Sequence, residues 1–349
     1  MHQQATYNKW VSIWLLVGLV MLVGQIFIGG VTRLTGSGLS ITKWEIVTGT
    51  LPPMNEGEWE EEFNKYQETP QYKLVNRGMT ISAFKYIYFW EYFHRLWARL
   101  IGFIFFIPWC YFMWRGWVTR RLNKGLAIVV GLAVITASFG WIMVASGLVE
   151  RPWVNAYKLS IHLLLGFSVF IALYAAWYRY VYGNKVVIRQ NGNLMSGVLF
   201  GLVMVQIILG GMMSGMKAGL SYPTWPQMNG EWIPGVLFEG GHWTLSSFIN
   251  YDDSIFMVAL VQLIHRVIAY IILVVSVLDV YESYKNGVNS VINKVLVSVL
   301  ISQIILGIWT VVEFKHGVPV ALGSAHQLGA LALSTVVFHC RFILLERRN

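Results

Sequence analysis

The sequence predicts an all-α polytopic membrane protein whose eight transmembrane helices form two pseudo-two-fold related four-helix bundles. Three observations predict it: an apolar composition, eight hydrophobic runs long enough to cross a bilayer, and an internal repeat. Of 349 residues, 56% are hydrophobic and 12% charged, where soluble domains carry about a quarter charged. Mean hydropathy is +0.56. A spanning helix needs roughly 20 apolar residues, and the candidate spans are 11–31, 81–114, 125–149, 157–181, 194–216, 254–281, 295–314 and 322–345. Those longer than the bilayer requires tilt or project beyond it.

The first span follows ten residues with no Arg- and Ser-rich transit character. No small-x-small cleavage site follows it, so it reads as a retained anchor. Between the first and second spans, and between the fifth and sixth, lie two long loops, residues 32–80 and 217–253, holding most of the acidic residues. Short connections on one side carry basic residues and few acids: Arg115, Arg120, Arg121 and Lys124; Arg179, Lys185 and Arg189; Lys285 and Lys294; and Arg347 and Arg348 at the tail. The positive-inside rule makes these cytoplasmic and puts both termini inside, with a bacterial cytoplasmic (inner) membrane the best fit. The net charge of +9 then reflects topology, and no nucleic-acid partner is expected. Cys110 and Cys340, both toward cytoplasmic span ends, can build neither an outer disulfide nor a CxxC metal site.

The repeat is read directly. Residues 25–44, QIFIGGVTRLTGSGLSITKW, match residues 206–225, QIILGGMMSGMKAGLSYPTW, at a constant offset of 181. The second and sixth spans then supply His94-Arg95 and His265-Arg266. The fourth and eighth supply Ser160-Ile161-His162 and Ser324-Ala325-His326, and QIILG recurs at 303–307. An even number of spans per unit makes this a parallel duplication, with an N-terminal half at 11–181 and a C-terminal half at 194–345 joined near residues 182–193. Gly29, Gly30, Gly210 and Gly211 let helices approach closely in lipid, and they also leave room for a flat macrocycle.

Four histidines thus stand at matching places in apolar helices: His94, His162, His265 and His326. Intramembrane ionisable groups are expensive and mark function. Zinc wants four ligands of thiolate, imidazole or carboxylate, whereas each half offers two imidazoles, the axial set of a low-spin haem in a bundle core. Arg95, Arg99 and Arg266 need partners at that depth. Haem propionates would serve through bidentate hydrogen bonds; ion pairing with Glu91 or snorkelling to the surface would serve equally.

The halves differ in one place. Glu91 lies three residues before His94, on nearly the same helix face, and the matching position is Gln262. A carboxyl group so placed can relay protons or stabilise positive charge developing on a substrate. Its bland alternative is an ion pair holding Arg95 or Arg99.

At this point the chain resembles the haem A synthases over nearly its whole length. The motifs are GGVTRLTGSGLSITKWEIVTGTLPP at 29–53, VNRGMTISAFKYIYFWEYFHRLWARLIG at 75–102, ASGLVERPWVNAYKLSIHL at 145–163, and the histidines at 265 and 326. It looks like the branch that includes mitochondrial and many Gram-negative enzymes. It lacks the outer-loop cysteine pairs of the other branch, so no thiol role carries over. The resemblance implies oxidation of the C8 methyl of haem O to a formyl group, giving haem A for cytochrome oxidase. It makes His265 and His326 the ligands of a resident haem b, His94 and His162 those of the substrate haem, and Glu91 the carboxylate important for activity. It also implies, as partners, a haem O synthase, cytochrome oxidase assembly factors and an electron donor that the sequence does not identify. The alternative from another class is a dihaem b-type cytochrome that passes electrons and modifies nothing, against which the Glu91/Gln262 difference argues. A transporter is the third reading, supported by the repeat but lacking evident broken helices.

Overall fold

A computed structural model describes residues 7–42, 51–147, 151–183, 186–187, 194–285, 291–342 and 344–345. Lys185, Arg189, Arg347 and Arg348, and the motif segments 43–50 and 148–150, lie outside the described residues. The chain divides into two compact units, Met1–Lys158 with Leu165–Lys185, and Leu159–Leu164 with Val186–Asn349.

The first unit holds α1 (Lys9–Leu34), α2 (Glu56–Gln67), α3 (Pro70–Leu74), α4 (Ile81–Trp114), α5 (Arg120–Gly147) and α6 (Ala156–Tyr182), the last also carrying Leu159–Leu164. The second holds β1 (Val186–Val187), α7 (Leu194–Gly215), α8 (Ala218–Ser221), α9 (Leu245–Ile249), α10 (Ile255–Lys285), α11 (Val291–Glu313), α12 (Val320–Phe342) and β2 (Leu344–Leu345). Eight of these, α1, α4, α5, α6, α7, α10, α11 and α12, are long and apolar enough to cross a membrane. Large side chains on them stay uncovered, among them Val20, Phe103, Ile107 and Ile128, each more than 60% exposed. Water would penalise such surfaces; lipid does not, and helices satisfy their backbone groups within themselves. The protein is a multi-pass membrane protein.

α1, α5, α6, α10 and α11 are longer than their hydropathy runs. Asn8 accepts from the Trp10 N–H at 2.9 Å and starts α1 two residues early. At its other end Gly36, at φ +71°, turns the chain after a C-cap in which the Thr35 N–H bonds Val31. The last span is shorter than its run. Leu344 and Leu345, read as helix from hydropathy, instead pair antiparallel with Val187 and Val186.

Four contacts lay α4 antiparallel along α1. Trp14 Nε1 donates to the Ile104 carbonyl at 3.1 Å, Trp97 Nε1 to Met21 at 2.9 Å, Gln25 Nε2 to His94 at 3.4 Å, and Thr32 Oγ1 to Trp90 at 3.1 Å. In the second unit α7 packs on α10 and α12, and α11 on α12 and α10.

The first long loop is not structureless. Asn55 and Glu58 form a reciprocal cap on α2, each donating to the other at 2.9 Å. Thr69 then caps α3 with Pro70 at its start. Together they form a lid on the first turns of α4. Its centre is the fully buried Tyr66, stacked on Phe84 at 5.1 Å and surrounded by Trp59, Phe63, Tyr72, Ile87 and Tyr88. At 34 residues α4 is about 51 Å long, which leaves a turn or more beyond a ~30 Å hydrocarbon core to carry this lid.

Candidate functional site

Three of the four histidines sit in the same kind of seat. His94 on α4 faces α1, His265 on α10 faces α7, and His326 on α12 faces α11. A Cβ placed on Gly29 would come within 2.9 Å of His94 Cε1; on Gly210, within 3.6 Å of His265 Cε1; and on Gly307, within 2.9 Å of His326 Cε1. Each glycine is therefore the floor under an imidazole edge. One turn before each glycine stands a glutamine whose Nε2 donates to the histidine's own carbonyl: Gln25 at 3.4 Å, Gln206 at 2.9 Å and Gln303 at 3.0 Å. Gln25 Nε2 also lies 3.2 Å from His94 Nδ1, and Gln303 Nε2 lies 3.4 Å from His326 Nε2.

Glu91 and Gln262 face the chain that follows the preceding span, and they hold it with opposite polarity. The buried Glu91 carboxylate accepts from Ser40 Oγ and the Ile41 N–H, both at 2.8 Å, and is ion-paired with Arg95. Gln262, fully buried, instead donates its Nε2–H to the Tyr222 carbonyl at 2.9 Å. Ile41 and Tyr222 are equivalent positions of the repeat. A carboxylate needs donors and takes an N–H; an amide can donate and takes a C=O. The adjacent arginines differ likewise. Arg95 reaches Glu91 and the Ile41 carbonyl, whereas Arg266 donates to the carbonyls of Tyr222, Thr224, Pro226 and Gln227. That carbonyl-rich loop, with its cis Trp225–Pro226 bond, closes at Asn229-Gly230, both at positive φ as a tight hairpin turn requires.

Two phenols flank this region outside the spans. Tyr66 is pushed up to about 12, mainly by burial, with Glu91 adding in the same sense and the Asn76 hydrogen bond opposing. Tyr222 is raised by burial and then by Glu231.

Among the residues that sequence singles out, the second unit holds His265, His326, Gln262 and Arg266. The first unit brings together Glu91, His94, Arg95 and Arg99 on α4. His162, half-buried on α6, falls within Leu159–Leu164, which groups with the second unit. A fifth histidine, His339, lies near the end of α12 and has no counterpart in the repeat, where position 175 is alanine. Sequence reading passed over Ser40, the Ile41 N–H and the three glutamines. The signal for the glutamines was in the repeat: Gln-x-x-x-Gly occurs at 25–29, 206–210 and 303–307, always opposite a histidine.

The His265 and His326 pair fits a haem. Two imidazoles in a bundle interior are a complete axial set, and the glycine floors leave room beside each ring. Nδ1 of both histidines is buried with no hydrogen-bond partner among the described residues. Buried polar atoms are seldom left so.

The family model COX15-CtaA, described as cytochrome oxidase assembly protein, matches residues 12–338. A protein of Nitrosospira multiformis named "Heme A synthase" is 38% identical over 340 residues, 95% of this chain and 93% of its own length. Proteins of the same name from Brucella ovis and Brucella abortus are 38% identical over 343 residues, 96% of this chain and 92% of theirs.

Proposed function

Because the chain belongs to the COX15-CtaA family of cytochrome oxidase assembly proteins, we propose that it carries out the reaction its relatives are named for. It is a membrane oxidoreductase that converts haem O to haem A, taking the C8 methyl group through an alcohol and a hydrated aldehyde to a formyl group. The half at 11–181 receives the substrate haem on His94 and His162, and the half at 194–345 holds a resident haem b on His265 and His326. When bound, that haem supplies one-electron transfer to and from the substrate half. The protein sits in a bacterial inner membrane with both termini cytoplasmic, and it takes its substrate from a haem O synthase.

The observation that carries this reading is the asymmetry between Glu91 and Gln262. Two units built on one plan hold the same loop with opposite hydrogen-bond polarity, and of the matched positions before His94 and His265 only the first, Glu91, is a carboxylate. Ser40, Ile41 and Arg95 fix that carboxylate in place, where it can stabilise positive charge developing on the substrate or accept a proton released from it. Arg95, Arg99 and Arg266 are the groups for propionates. Arg266 Nε, buried with no partner among the described residues, supports this for the second half.

One observation favours the rival, a dihaem electron carrier: both Glu91 oxygens are already engaged, as a purely structural ion pair would have them. Glu91→Gln separates the two. With chemistry at Glu91, cells supplying haem O should accumulate variant protein with an unchanged low-spin b-type spectrum, while extracted haem A falls on the order of a hundredfold or more. Gln262→Ala should be mild by comparison. Near-normal haem A from Glu91→Gln, at matched protein level, would leave the carboxylate structural and favour the electron carrier.

A further inference from the structure

We propose that Gln206 and Gln303 are positioning residues for the resident haem, fixing the orientation of the two imidazole planes. Gln25 does the same for His94. The inference rests on the reading of His265 and His326 as haem ligands and adds residues to which the four-histidine argument gives no role.

The same two-residue device appears three times, on α1, α7 and α11, against three different histidines: a carboxamide donating to the histidine's own carbonyl, and a glycine four residues on, beneath the ring. A histidine carbonyl inside a helix already accepts the N–H one turn ahead, so it needs no further donor for satisfaction. Three glutamines that nonetheless converge on that atom are holding the histidine's turn in place.

The carboxamide oxygens point the same way. Oε1 of Gln25, Gln206 and Gln303 are all buried with no hydrogen-bond partner among the described residues. Buried polar groups nearly always find a partner. Here one end is left unmet three times while the other stays on the histidine. In Gln303 the oxygen is lodged in the space that Gly329 leaves open, since a Cβ there would collide with it. With its oxygen against Gly329 and its nitrogen on His326, the side chain is trapped between two points of α12. The His326 ring is then confined by Gly307 below it and by the clamped turn that carries it. Iron ligands are oriented by such outer partners.

Orientation has its own readout. The electron paramagnetic resonance g-values of a ferric bis-histidine haem follow the angle between the two imidazole planes, and loss of general stability does not move them. The experiment measures these g-values and the haem content of purified protein carrying Gln206→Leu, Gln303→Leu or Gln303→Glu, with Gln25→Leu and His326→Ala as controls. Gln303→Glu keeps the shape but puts an oxygen where the donor stands, so it carries the test if the leucine variant does not fold. The expected result is retained haem with displaced g-values in the Gln206 and Gln303 variants, and wild-type g-values in Gln25→Leu. If His326→Ala abolishes the low-spin signal but the Gln206 and Gln303 variants keep wild-type g-values, the positioning role is wrong and the ligand reading stands. If His326→Ala keeps the signal, the ligand reading itself fails.

Discussion

At the residue scale, the glycine floors make a graded prediction. A methyl group on Gly307 would stand 2.9 Å from His326 Cε1, closer than real Cβ contacts come, whereas one on Gly210 would stand 3.6 Å from His265 Cε1, an ordinary contact. Gly307→Ala must therefore push its imidazole aside, an overpacking cost of about 1–3 kcal/mol. Gly210→Ala should be close to neutral. Haem b per protein, read from the absorbance spectrum, should drop in Gly307→Ala and stay near wild type in Gly210→Ala; equal retention in both would mean the rings do not rest on these glycines. The histidines were legible because the duplication repeats them in apolar runs, where an imidazole stands out. The glutamines beside them were equally repeated but carry no charge, so nothing in composition marked them. Glu91 and Gln262 could be told apart from sequence. That each grips the loop after the preceding span, one through an N–H and the other through a C=O, needed the path of the chain between Gly36 and Ile41 and its match before Tyr222.

At the element scale, hydropathy found every span but misjudged what lies between and at the ends. The lid of α2 and α3 was hidden because its helix is short and acidic, so no apolar periodicity announces it. Its signals are local: the Asn55/Glu58 cap and Thr69-Pro70. The lid is tied down through Tyr66, whose hydroxyl donates to Gln71 Oε1 at 3.0 Å and accepts from Asn76 at 2.7 Å, while Gln71 reaches the Gly36 carbonyl at 3.0 Å. This sets a pH dependence. Burial raises the Tyr66 phenol from 10.0 to about 12, so the folded lid keeps a proton that the unfolded chain releases. The stabilisation is full below about pH 10 and is lost as pH climbs toward 12, by roughly 2–3 kcal/mol in all. Tyr66→Phe should cost about 1 kcal/mol per lost hydrogen bond at neutral pH and should flatten the alkaline loss. Limited proteolysis of the lid in wild type and variant, below and above pH 10, checks both signs. Parallel curves for the two proteins would remove Tyr66 as the cause.

At the scale of the whole molecule, the proposed arrangement in the membrane rests on where the charges stand on the eight spans. The connection between α4 and α5, with the start of α5, carries Arg115, Arg120, Arg121 and Lys124 within ten residues and no acid, and short basic segments of this kind resist export. The opposite end of α4 carries the lid, whose α2 holds Glu56, Glu58, Glu60, Glu61 and Glu62. Lys65 is neutralised there by salt bridges of 2.6 Å to Glu61 and Glu62. α4 therefore has a strongly basic end and an acidic one, and a single orientation satisfies both. The orientation proposed above makes the basic end cytoplasmic, and with an even number of spans it puts the termini on that same side. Truncated fusions to a reporter active only outside the membrane, ending at Asn64 in α2 and at Asn123 in α5, should give a strong signal from the first and none from the second. Replacing Arg115, Arg120, Arg121 and Lys124 together by glutamine should weaken that polarity without changing the span count, because hydropathy and not charge makes the helices. Equal signals at the two sites, or the reverse order, would overturn the orientation. They would also move the Glu91 network and its lid to the cytoplasmic side, where haem O would have to be presented from within the cell.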